Sequence, residues 1–129
     1  MNAHTALNAY QKVGVQTSVV DASPHHLITL LLEGAIGRIA GAVGAMQRGE
    51  TGRQGELVGK AISIVDNLRA CLDRDLGGDL AATLSGLYDY ILERLMAANR
   101  DSNPAALAEA GDLLKTILDG WSQLPAEVR

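Results

Sequence analysis

The sequence predicts an all-α fold: an antiparallel four-helix bundle with a short, mobile N-terminal cap segment. Three observations lead there. The only prolines are Pro24, Pro104 and Pro125, which leaves long stretches without a helix breaker. Four such stretches repeat apolar residues at three- and four-residue spacing. Two helix starts are written out as a capping residue followed by proline, Ser23–Pro24 and Asn103–Pro104. With 129 residues the chain fits one domain, divided into an arm (1–22), a bundle (23–125) and a tail (126–129). Hydrophobic residues make up 47% of it and Phe is absent, so the core falls to Leu, Ile, Val and Ala.

The first helix starts at Ser23–Pro24 and runs to about Arg48, with Gly49 as its stop. Its core stripe is Ile28, Leu32, Ala35, Ile36, Ile39, Val43 and Met46. The second covers about Gly52 to Arg74, closed by "DLGGD", with Leu57, Ala61, Ile64, Val65, Leu68 and Leu72 in its stripe. The third runs from Gly78–Asp79 to about Asn99 and directs Leu80, Leu84, Leu87, Tyr88, Ile91 and Leu95 inward. The fourth is capped by Asn103, ends near Leu124, and contributes Leu107, Ala110, Leu114, Leu118 and Trp121. No segment alternates in the manner of a strand between hairpin turns; only "VGVQTSVV", in the arm, has β-like composition.

Two features exceed what a bundle needs. Gly34, Gly37, Gly41 and Gly44 form a stripe on the first helix, although each glycine costs roughly 1 kcal/mol against alanine. The stripe points about 180° from the core stripe, with Leu27, Leu30 and Leu31 as an apolar rim. This predicts a smooth outer face suited to a second chain; drift toward small residues is the competing reading. The other helices carry surplus apolar flanks as well. These are Val58 and Ile62, with Cys71 opposite; Leu92 and Met96, with Tyr90 and Arg94 opposite; and Ala106, Leu113, Ile117 and Leu124. Bands wider than one core stripe suggest grooves for partner helices, or a thicker core. The groove expected here joins Ile64, Leu68 and Cys71 of the second helix to Leu87, Tyr90, Ile91 and Arg94 of the third, with Leu113 and Ile117 of the fourth as a further partner-binding strip.

Composition excludes several functions. The net charge is −4 and no Lys/Arg run exists, which argues against nucleic acid and anionic membrane. "LITLLLEGAIG" is interrupted by Glu33 and too short to span a bilayer. A single cysteine, Cys71, forms no internal disulfide and suits a reducing cytosol. His25 and His26 are adjacent and diverge by about 100° on a helix, so they do not chelate one metal. No metal, cofactor or catalytic constellation is expected, and the residues alone stop at a helical binding module.

The stretches "AYQKVGVQTSVVDASPHHLITLLLEGA", "KAISIVDNLRACLD", "GGDLAATLSGLYDYILERLMAAN" and the late "GW" resemble the flagellin-specific export chaperones, the FliS family. Leu32 departs from the family's usual aromatic at that position. The resemblance implies a cytosolic, non-enzymatic chaperone. It would bind the disordered C-terminal region of flagellin, prevent premature polymerisation and keep the subunit competent for flagellar type III export until it reaches the export gate. A disordered amphipathic segment can fold onto a bundle while burying a large area. The resemblance also makes "ALNAYQKVG" a cap over a groove, with Leu7, Tyr10 and Val13 facing the bundle and Tyr10 matching the family's N-terminal tyrosine. A second flagellar regulator and a homodimer remain open as further partners. The alternative is a structural homodimeric bundle adaptor with the glycine face as its seam.

Overall fold

The computed structural model describes residues 23–75 and 78–123. The arm, with Leu7, Tyr10 and Val13, lies outside them, as do Leu124 and the tail. The described residues form four helices: α1 (Pro24–Gln47), α2 (Thr51–Asp75), α3 (Gly78–Asp101) and α4 (Pro104–Ser122). α1 packs on α2 and α4, and α3 packs on the same two, so the four helices close a ring. The direction of each pair is fixed by cross-helix contacts. Trp121 at the end of α4 donates from Nε1 to the His25 carbonyl at the start of α1, 3.3 Å away. Gln54, early in α2, donates to Asn99, late in α3. The bundle is therefore antiparallel, as the sequence predicts.

Local chemistry sets the boundaries. The Ser23 hydroxyl accepts from the His26 N–H at 3.1 Å, and Asn103 Oδ1 accepts from the N–H groups of Ala105 and Ala106. Each cap satisfies backbone donors that a helix start leaves unpaired. Gly49 follows α1 at φ +74°, a left-handed conformation that glycine adopts without a Cβ penalty.

The core is aliphatic. Leu32, Ala35 and Ile39 of α1 meet Val58, Ala61, Val65 and Leu68 of α2, Ile91 and Leu95 of α3, and Leu107, Ala110 and Leu114 of α4. Most expected stripes are buried or packed against this cluster, but several assignments change. Leu30 and Leu31, expected to rim an outer face, are 9% and 1% exposed, because the first turns of α1 are buried well beyond their core stripe. Val58, Leu92 and Ala106, expected on surplus flanks, are core residues, because each helix buries side chains against two neighbours. Leu80 reverses the other way: it stands in the first turn of α3, at the end of the bundle, and is 41% exposed. Met96 is exposed on its flank as expected.

The glycine stripe is not uniformly outward. A Cβ on Gly37 would meet nothing within 4 Å. One on Gly41 would lie 3.1 Å from Leu57 Cδ1 of α2, and one on Gly44 would lie 3.1 Å from the Arg48 guanidinium. Gly34 is half-buried. At Gly41 the stripe forms part of the α1/α2 seam, where the missing side chain leaves room for Leu57. By length and composition α1 is apolar enough to cross a membrane, but its Leu32, Ala35, Ile39 and Ala42 are core residues of this bundle.

Candidate partner-binding surface

α3 presents different chemistry on its two sides. Toward α2, Asp89 accepts from Arg69, which also bonds Asp66, so an ionic stitch crosses that seam. Toward α4, Glu109 accepts from two side chains of α3 at once. The Tyr90 hydroxyl donates to its Oε2 and Arg94 Nε to its Oε1, each at 2.8 Å. The hydrogen bond to this carboxylate raises the Tyr90 hydroxyl above its ordinary pKa, so it stays a donor. The clasp is open to water, with Tyr90 41% exposed and the Arg94 and Glu109 side chains 30% and 42% exposed.

An apolar strip, the candidate groove, leads up to this clasp. Leu80, Leu87 and Arg94 follow one another at two-turn spacing on α3, and Leu113 and Ile117 follow Glu109 at one-turn spacing on α4. Leu113 and Ile117 are partly buried against the core, and Leu87 is half-buried. From Leu80 to Arg94 this face covers about 21 Å of helix, enough for some four turns of a docked helix.

A second feature lies at the end of the bundle where α1 and α3 begin and α2 and α4 end. Ile28, Leu68, Cys71, Leu72, Leu84, Tyr88 and Trp121 line a small apolar cleft there. Tyr88 is buried, which pushes its hydroxyl well above the ordinary tyrosine value. The Trp121 and His25 rings meet edge to face, with centroids 5.1 Å apart. Cys71 is half-buried in the wall. Among the described residues, no group of three or more His, Cys, Asp or Glu is placed to hold a metal ion.

The expected groove between the second and third helices is therefore divided. Leu68 and Cys71 belong to the end cleft, and Ile64 packs partly buried against the core. Tyr90 and Arg94 turn toward α4 instead, joining Leu87, Leu113 and Ile117. Leu68 and Ile91, expected as contact residues, are 1% and 0% exposed and support the surfaces from beneath. Sequence reasoning did not single out Glu109. The signal was available: in an antiparallel pair, residues about equally far from the turn at Ser102–Asn103 stand opposite each other, which brings Glu109 to Arg94.

A ring of four helices with a filled core, a partly exposed apolar strip and a polar clasp suits a helical protein-binding module. A family model described as "Flagellar protein FliS" matches residues 6–128. The chain is 43% identical over 121 residues to the flagellar secretion chaperone FliSB of Pseudomonas aeruginosa, covering 94% of this chain and 96% of that one. It is 38% identical to the flagellar secretion chaperone FliS of Vibrio cholerae, covering 95% and 90% of the two chains. For the Salmonella typhimurium flagellar secretion chaperone FliS the identity is 39%, covering 96% and 93%. The chain belongs to the FliS family of flagellar secretion chaperones.

Proposed function

We propose that this chaperone works in the cytosol and holds the C-terminal segment of flagellin, in its export-competent form, in the groove between α3 and α4. The observation that supports this reading is apolar surface left in water. Leu80 and Tyr90 stay exposed on a bundle whose interior is already filled by other side chains. An amphipathic segment laid along Leu87, Leu113 and Ile117 would bury that surface and gain its own helical order on docking. Binding without turnover suffices for such a role, and handover to the export gate would release the cargo. Leu7, Tyr10 and Val13 of the arm belong to the same proposal as partner-binding residues.

The experiment is calorimetry and circular dichroism with full-length flagellin and with flagellin lacking its C-terminal segment. A 1:1 complex that gains helicity, with a negative heat-capacity change, is expected only when the segment is present. Equal binding of both flagellins would overturn the reading.

A further inference from the structure

The clasp that ends the groove is unevenly satisfied. Both oxygens of Glu109 already accept, one from Tyr90 and one from Arg94. Arg94 contributes only its Nε to that bridge, and its two terminal nitrogens make no hydrogen bond among the described residues. A helix docked along Leu87 and Leu113 would cover these terminal donors and strip their water. Donors covered without acceptors oppose binding, and the penalty is largest for a charged group. The partner must therefore bring an oxygen to this point.

The surroundings restrict which oxygen it is. Glu93 precedes Arg94 in sequence, Glu109 bridges it, and Asp112 lies one turn beyond Glu109; all three are acidic, and Glu93 and Asp112 are exposed. A carboxylate arriving here would meet more negative than positive charge. Resting on the reading that the groove holds a flagellin segment, we propose that Arg94 selects for an uncharged oxygen acceptor on that segment, a side-chain carboxamide or an unpaired backbone carbonyl, at the clasp end of the groove. Arg94 is then a specificity residue, and its Nε bond to Glu109 ties it to α4 without engaging the terminal donors.

The test titrates the flagellin C-terminal segment into the full-length chaperone and two variants. Arg94→Met keeps the aliphatic stem and removes the donors; Glu109→Ala breaks the bridge to α4 and leaves the donors. We expect Arg94→Met to weaken binding about tenfold and Glu109→Ala no more than about threefold, with thermal melts confirming that both variants are folded. The wild-type affinity should change less than about threefold between roughly 0.05 and 0.5 M salt, because the matched group carries no charge. Equal losses in the two variants would show that Arg94 acts only by tying α3 to α4, and would overturn the assignment. A steep fall of affinity with salt would replace the neutral acceptor by a carboxylate. Wild-type protein that fails to bind the segment at all would remove the flagellin reading, and this inference with it.

Discussion

The two seams flanking the bundle differ in what fills them. Between α1 and α2 the side chains are small and the contact is extensive: Ala42, Ala45 and Ala61 are fully buried, and Gly41 receives Leu57. Between α3 and α4 the contact is the leanest of the four, and leucines, a tyrosine and an ion pair remain partly in water. Small residues let helices approach closely and complete their burial within the chain. Larger residues at a leaner seam leave apolar area unspent. If cargo docks at the lean seam as proposed, substitutions on the two sides should separate stability from recognition.

The largest expected effect is on the close-packed side. Leu31→Ala removes a side chain that is 1% exposed. It should cost about 2–5 kcal/mol of stability, the usual range for a buried leucine. Chemical denaturation measures it, and the affinity of the folded fraction for flagellin should not change. A loss under about 1 kcal/mol would return Leu31 to the outer face that periodicity suggested.

On the lean side the order should invert. Tyr90→Ala deletes an exposed ring and its hydrogen bond to Glu109. Binding should weaken by about 2 kcal/mol, the scale of a good interface anchor. Stability should fall by less, because the bond it loses is solvent-exposed. If unfolding accounts for the whole effect, Tyr90 belongs with the core and the contrast between seams fails.

These two residues also show what the sequence makes legible. Helix positions were readable because their signals are local: Ser23–Pro24, Asn103–Pro104 and Gly49 each act within one turn. The core stripes were readable because 3.6-residue periodicity is an intrinsic property of the helix. The direction of a flank was not. Tyr90 and Arg94 stand beside the core stripe of α3, but whether that side meets α2 or α4 depends on how the bundle is wound, which no single helix encodes. Leu31 failed for a related reason: its burial comes from neighbouring elements, not from its own helix's stripe.

A pH experiment sharpens the comparison at the end cleft, which both pairs of helices help to build. Tyr88 is 2% exposed, and burial raises its pKa above the ordinary 10.0. In the unfolded chain the hydroxyl ionises near pH 10, whereas in the folded chain it keeps its proton to higher pH. The unfolded state therefore binds fewer protons above pH 10, and stability should fall as pH rises beyond that point, by up to about 1.4 kcal/mol per pH unit from this group. Below pH 10 the contribution is complete and flat. Tyr88→Phe should flatten the alkaline limb of stability against pH. An unchanged slope in the variant would assign the alkaline loss to other groups.

The smallest effect tests the seam residue by residue. A methyl added at Gly37 meets nothing within 4 Å, so Gly37→Ala should gain up to about 1 kcal/mol, the helix-propensity difference. Gly41→Ala has the same propensity gain, but its methyl would approach Leu57 Cδ1 to 3.1 Å. The contact is with the end of a flexible side chain in a tight seam, so part of the gain should be lost to repacking. Gly37→Ala is therefore expected to melt higher than Gly41→Ala, although the two lie one turn apart on one helix. Because the sites are close, the double variant need not equal the sum. Flagellin titration of the same preparations supplies the second axis. If cargo sits between α3 and α4, neither alanine changes its affinity. A Gly37→Ala protein that is more stable yet binds flagellin more weakly would move a contact surface onto α1, and with it the division of labour between the two seams.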